Sequence, residues 1–234
     1  RLWTRRKPIR GVSVLVDSGA FMELLLHGEY RTTVEQYAKR LRELHEQGVV
    51  NIAAVVAQDY MCEPFMLAKT GLTIEDHQRL TIERYDALLA ALHREFPAGI
   101  PFHILPVLQG YAPEDYVRHV AAYGDRLKSG MWVGVGSVCK RNSAPEKIAA
   151  VLRAIKAVRP DLLLHGFGVK LTALLNATVR ALLATADSMA WSYSARKQGR
   201  SANSWLEAAR FVERIETAIA APQQPYQLEL LEAA

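Results

Sequence analysis

The stretch Val12-Ser13-Val14-Leu15-Val16-Asp17-Ser18-Gly19-Ala20-Phe21 sets the pattern of the chain: an apolar run that stops at a carboxylate, a hydroxyl and a glycine. The same change recurs four times. Ile52–Ala57 runs into Gln58-Asp59-Tyr60-Met61-Cys62-Glu63-Pro64, and Phe102–Val107 into Gln109-Gly110. Trp132–Val135 runs into Gly136-Ser137, and Leu162–Leu164 into His165-Gly166-Phe167-Gly168. Several of these runs are continuously apolar rather than alternating, as expected of strands covered on both faces. A sixth run, Ser188–Trp191, follows Asp187.

Helical patterns separate the runs. Thr33-Val34-Glu35-Gln36 reads as a capping box, with Val34, Tyr37, Ala38, Leu41 and Leu44 at helical spacing behind it. Ser143-Ala144-Pro145-Glu146 reads as a second box, and Pro113 with Glu114 and Asp115 as a third helix start. Repeated β-then-α units imply a parallel sheet and a TIM-type (β/α) barrel. Six units are visible where a closed barrel needs eight, so two lie upstream of Arg1, the barrel is incomplete, or the sheet is open. Residues 1–222 are assigned to this single domain and residues 223–234 to a loose C-terminal tail.

The chain has 234 residues, half of them hydrophobic, enough for one large core. Its net charge of +5 suits a polyanionic partner without requiring one. Two isolated cysteines, Cys62 and Cys139, exclude a disulfide framework, do not supply a structural zinc site, and fit a cytoplasmic protein. No apolar run is long enough for a membrane span, and neither a P-loop nor a Gly-x-Ser-x-Gly elbow is present. No cofactor or metal is therefore expected.

In α/β barrels the chemistry sits at the C-terminal ends of the strands, where these polar clusters fall. Each residue also has an ordinary reading. Asp17 fits a turn, Asp59 an ion pair with an arginine, Gln109 a bond to loop backbone, and Asp187 a helix-to-strand turn. His165 fits a core histidine, and Phe21, Tyr60 and Trp191 fit core aromatics. Five polar clusters in one chain exceed what capping alone explains.

At these clusters the chain resembles the tRNA-guanine transglycosylase superfamily. Asp17-Ser18-Gly19-Ala20-Phe21 is similar to that family's Asp-Ser-Gly-Gly-Phe, and Val107-Leu108-Gln109-Gly110 to its Val-Gln-Gly segment. Gly134-Val135-Gly136-Ser137-Val138 stands where the family has Gly-Gly-Leu-Ser-Val, and Leu164-His165-Gly166-Phe167-Gly168 where it has Leu-Met-Gly-Val-Gly. The fuller wording resembles the DpdA-type 7-deazaguanine DNA-modification branch. It comprises Asp59 to Pro64 with Lys69-Thr70-Gly71, Gly166 to Lys170, and Asp187 to Ser192 with Ala195-Arg196.

The resemblance implies exchange of guanine for a 7-deazaguanine such as preQ0 in DNA. It makes Asp17 the general acid/base and Asp187 the nucleophile at the anomeric carbon. Phe21 would stack on the base, Asp59 and Gln109 would bond its Watson–Crick side, and Val135, Gly136, His165 and Gly166 would meet the rest of the ring. Lys140, Arg141, Arg196, Lys197 and Arg200 are the candidate phosphate contacts, each equally readable as a solvated basic face. The implied partners are DNA, the deazapurine base, and a second copy or partner subunit; no membrane is implied.

Three departures keep rivals open. The zinc cluster of the tRNA enzymes is missing. They carry two Asp three residues apart where Asp187 stands alone, so aligning it with the first would leave Ala190 at the nucleophile position. Lys140 replaces an acidic residue next to their aminomethyl substrate, which favours a nitrile over an ammonium. The alternatives are the same exchange on tRNA or other RNA, and a silent nucleic-acid-binding partner subunit.

Overall fold

The computed structural model of the protein describes residue 3, residues 7–9 and residues 11–220. The expected tail, 223–234, lies outside the described residues. In chain order the elements are β1 (Ser13–Val16), α1 (Ala20–His27), α2 (Val34–Glu46), β2 (Asn51–Val56), α3 (Pro64–Thr70) and α4 (Ile74–Glu95). Then come β3 (His103–Leu105), β4 (Val107–Leu108), α5 (Pro113–Tyr123), β5 (Trp132–Val135), α6 (Pro145–Val158) and β6 (Leu163–Gly166). The last are α7 (Leu171–Leu174), α8 (Ala177–Leu182), β7 (Thr185–Ala186), α9 (Ala190–Lys197) and α10 (Trp205–Ala220).

The strands form two parallel sheets, β1-β2-β3 and β4-β5-β6-β7, in chain order. Pro106 divides β3 from β4: it has no N–H to give a ladder, but its carbonyl still accepts the Gly134 N–H at 2.8 Å. The chain thus has the expected α/β class with parallel strands and helical crossovers.

Side chains alternate between two faces, as the two-residue period of a strand requires. Val16, Val55, Ile104, Leu108, Val133, Val135 and Leu164 join the large core formed with the helices. Their neighbours Leu15, Val56, Leu105, Val107, Trp132 and Phe167 form a smaller cluster on the other face. The helices bury the matching stripe: in α2, Val34, Tyr37, Ala38, Leu41 and Leu44 are the buried residues, as their spacing predicts. The Thr33 box is complete, with Thr33 accepting the Gln36 N–H and Gln36 accepting the Thr33 N–H. A second complete box, Thr73 with Asp76, opens α4.

Two expectations fail. No side chain caps α6: Ala144 holds the cap position, and Glu146 instead accepts from the Asn176 amide at 2.6 Å. The last strand is Thr185–Ala186, not Ser188–Trp191. The Asp187 N–H closes the ladder on the Gly166 carbonyl, and the Ser188 hydroxyl then accepts the Ala190 N–H at 3.3 Å, so the chain turns into α9. Among the described residues no helix is long and apolar enough to cross a membrane.

Leu152, wholly buried in α6, lies in the large core shared with β5 and β6. Leu152→Ala is expected to lower unfolding free energy by about 2–5 kcal/mol, because the cavity left behind adds to the lost transfer energy. Urea unfolding followed by far-UV circular dichroism measures it.

Candidate active site

Because the strands are parallel, Asp17, Asp59, Gln109, Ser137 and Asp187 all emerge at one end of the sheets. The Asp187 charge acts on Asp17, and the Asp17 charge acts on Asp59. Burial raises the pKa of Asp17, and the Asp187 charge adds to that, while the Ser18 and Gly19 N–H groups oppose it. Asp17 is nevertheless open to solvent at the mouth, with protein crowding its flanks. It therefore fills the turn role while the charge of a second acid raises its pKa.

Asp59 is buried, and burial pushes its carboxyl up to about 7, with the charges of Asp17 and Glu63 acting in the same direction. The Gln109 amide N–H donates to Asp59 Oδ2 and opposes the rise. Among the described residues no arginine pairs with Asp59: Arg84 stacks on Tyr30 at 4.1 Å and donates to Gln58. The Tyr30 hydroxyl holds the Asp59 carbonyl at 2.7 Å.

Gln109 is wholly buried and held at both ends. Its N–H donates to His119 Nδ1 at 2.8 Å, and its carbonyl accepts from Gln78 at 2.7 Å. Burial lowers the His119 pKa to about 4, so the ring is neutral and can accept at Nδ1 while Nε2 donates to the Gln78 carbonyl at 3.1 Å. The Gln109 side chain lies against Gly136, where an added Cβ would overlap the amide. Next to it Ser137 takes φ 54°, an uncommon left-handed conformation for a non-glycine residue. Its hydroxyl lies between Gln109 Oε1 and Glu63 Oε2, at 2.7 and 2.9 Å.

Asp187 follows the two-residue β7. Its Oδ1 accepts the Gly168 N–H at 2.7 Å and lies 3.7 Å from His165 Nε2. His165 is buried and bonded through Nδ1 to Thr185 Oγ1 at 2.8 Å, and Thr185 in turn accepts the Trp132 indole N–H at 2.9 Å. An indole only donates, so the Thr185 hydrogen is free for His165 Nδ1. That tautomer puts the other ring hydrogen on Nε2, facing Asp187. A bare Nε2 lone pair facing a carboxylate would repel it, so both ends of the chain favour the same tautomer. Among the described residues Nε2 has no hydrogen-bond partner, which leaves its hydrogen for Asp187 or a ligand. His165 is therefore neither plain core nor simply a ring contact.

The remaining candidates divide. Phe21, half-exposed at the mouth, meets Phe65 edge-on at 6.4 Å, and Lys140 Nζ lies 5.9 and 5.7 Å from the two rings. Lys140 and Arg141 border a groove of about 460 Å³ with Tyr111, Pro113 and Lys147. The Val135 side chain points into the helical core. Gly136 already gives its N–H to Leu108 and accepts the Tyr116 hydroxyl at 2.8 Å. Backbone carbonyls there offer a ligand only their second lone pair. A Cβ on Gly166 would meet Val169 and Leu183, so its smallness serves packing. Arg200 closes on Glu207 at 2.7 Å, which occupies its charge. Arg196 and Lys197 are exposed on α9, and Lys197 lies over the Tyr193 ring.

Glu63, Ser137, Gln78, His119 and Thr185 had no role in the sequence reading. Glu63 and Ser137 stood inside the quoted clusters, whereas Gln78 and His119 reach in from α4 and α5, and no local pattern marks them. Among the described residues no group of three or more His, Cys, Asp or Glu side chains is arranged to hold a metal ion.

With Asp59 raised, the folded chain keeps a proton that the unfolded chain loses between the ordinary aspartate range and about pH 7. The contribution of Asp59 to stability therefore falls as pH rises through that window and levels off above it. Asp59→Asn is expected to gain stability over the unsubstituted chain between about pH 5 and pH 8, by an amount on the order of a few kcal/mol. Urea midpoints across that range measure it, and a difference that does not change with pH would mean Asp59 is already ionised at the acid end.

A family model described as "DpdA: DeoxyPurine in DNA protein A" matches residues 1–216. No curated protein matches the chain.

Proposed function

Since the chain belongs to the DpdA family, whose description places it on deoxypurines in DNA, we propose that it is a transglycosylase. On this reading it exchanges guanine for a preQ0-like 7-deazaguanine in DNA, on a barrel-type frame. What supports the reading is that Asp17 and Asp187, acids from opposite ends of the chain, leave parallel strands at the same end, where the Asp187 charge raises the Asp17 pKa.

The chemistry follows from the pair. The Asp187 carboxylate attacks C1′ of the extruded nucleotide as the bond to guanine breaks, through an oxocarbenium-like state. Asp17, its pKa raised by crowding and by the Asp187 charge, keeps the proton that departing guanine needs. The incoming deazapurine then gives its N9 proton to Asp17, N9 bonds to C1′, and Asp187 is released. Protons and charges balance over the exchange. Asp59 and Gln109 read the Watson–Crick edge, Phe21 stacks from the mouth, and the Lys140–Arg141 groove takes the backbone phosphates.

The silent-partner reading drew on Ala190 as the occupant of the nucleophile position. Ala190 begins α9 with only a methyl group, while Asp187 is the residue that influences Asp17; this favours the active reading.

In a host that makes preQ0, expression of the chain is expected to put a 7-deazaguanine nucleoside into DNA, detected by mass analysis of digested DNA. Asp187→Asn should abolish the product, and Asp17→Asn should cut its rate by about 10²–10⁴-fold. The modified base in tRNA alone would favour the RNA exchange, and unmodified nucleic acid would overturn the proposal.

A further inference from the structure

Asp59 and Glu63, both buried, are joined end to end by hydrogen-bonding groups. Asp59 Oδ2 meets the Gln109 amide, the far end of that amide lies 2.7 Å from Ser137 Oγ, and Ser137 Oγ lies 2.9 Å from Glu63 Oε2. The Ser137 oxygen also accepts the Cys62 N–H at 2.8 Å. A hydroxyl carries one hydrogen. Here it faces two oxygens that, with both acids ionised, can only accept, at distances that are both full hydrogen bonds. One contact would then set lone pair against lone pair between buried side chains. The chain of groups needs one more hydrogen.

We propose that Asp59 and Glu63 share a single proton through Gln109 and Ser137, which makes Glu63 the positioning residue that determines the charge on the base-facing acid.

Two arrangements satisfy every group. In the first, Glu63 carries the proton and donates to Ser137, Ser137 donates to the Gln109 oxygen, and the Gln109 N–H donates to an ionised Asp59. In the second, the amide is turned by half a revolution, which exchanges its nitrogen and oxygen within the same outline, an assignment made from the hydrogen-bond network. Asp59 then carries the proton and donates to the Gln109 oxygen, the Gln109 N–H donates to Ser137, and Ser137 donates to an ionised Glu63. In both, the Cys62 N–H fills the second lone pair of Ser137. The proton count is the same, and only the acid that carries the proton differs.

The surroundings suit this device. The missing Cβ at Gly136 gives the amide its place. The left-handed backbone of Ser137 sets its hydroxyl between the two acids. Glu63 acts on Asp59, Cys62, His77, Tyr116 and Cys139, and its second oxygen accepts from the Cys139 thiol at 3.6 Å. Lys140 adjoins Cys139. Asp59 in turn faces Asp17, Tyr30, Tyr37, Tyr123 and Cys62. In so acidic a setting one shared proton costs less than two ionised carboxylates.

The purpose of the device rests on the base-exchange reading. A bound guanine presents N–H donors, which an ionised Asp59 accepts, and Glu63 keeps the displaced proton inside the site. The test does not rest on that reading. In the full chain with ¹³C-labelled Asp and Glu carboxyls, NMR follows both titration midpoints with no base or DNA present. Glu63→Gln is expected to lower the Asp59 midpoint by about one pH unit or more, a ten-fold loss of proton affinity. Asp59→Asn is expected to lower the Glu63 midpoint equally, since coupled sites affect each other reciprocally. Ser137→Ala should remove most of this coupling. So should Gln109→Leu, which cuts the other link and decides the matter if the serine variant does not fold.

Simple repulsion between the two charges would survive both cuts. Coupling that persists in them overturns the proposal, as does its absence from the unsubstituted chain. Neither result touches the base-exchange reading, and unmodified DNA would leave the shared proton standing.

Discussion

All strands run the same way, and the candidate site depends on that constraint. A parallel ladder needs a crossover between successive strands, and the crossovers here are the helices that bury one face of the sheets. The constraint also brings every strand's C-terminal residue to one side. Asp17 and Asp187 are 170 positions apart in sequence, and the Asp187 charge reaches Asp17 because β1 and β7 point in the same direction. Were either strand reversed, its acid would leave at the opposite end.

The polar groups gathered there have few counter-charges, and the site manages them with hydrogens instead. Tyr30 holds the Asp59 backbone, His119 and Gln78 hold the Gln109 backbone, and the Trp132–Thr185–His165 chain reaches toward Asp187. His119 works because burial keeps it neutral near physiological pH. A charged ring could not accept from the Gln109 N–H, and the amide between Asp59 and Ser137 would lose its anchor.

Much of this was legible in the sequence. Five strands, the α2 stripe and the positions of Asp17, Asp59 and Gln109 followed from apolar runs that end in polar residues, whereas Asp187 was placed ahead of its run rather than behind it. What was not legible has physical causes. A two-residue strand such as β7 has no period to detect, so the apolar residues of early α9 were read in its place. The spacing of Ser143 and Glu146 imitates a box, but a box forms only when the serine itself occupies the cap, and Ala144 does. Gly166 has the spelling of a ligand-approach glycine yet makes room for Val169 and Leu183. The supports of Gln109 come from the inner faces of α4 and α5, and spacing along the chain does not encode that tertiary fact.

The shortness of β7 sets a gradient of local stability across the site. Asp59 and Gln109 follow strands set in the core and Asp17 follows the buried Val16, whereas Asp187 hangs from two exposed residues paired, among the described residues, to β6 alone. Elements with few buried contacts open first, well before the whole domain unfolds. The carboxylate proposed to attack the sugar thus sits on a loosely held edge of the sheet. Warming would free Asp187 while the spectroscopic signature of the fold is still intact, and a ligand that clamps this edge would act as a local brace.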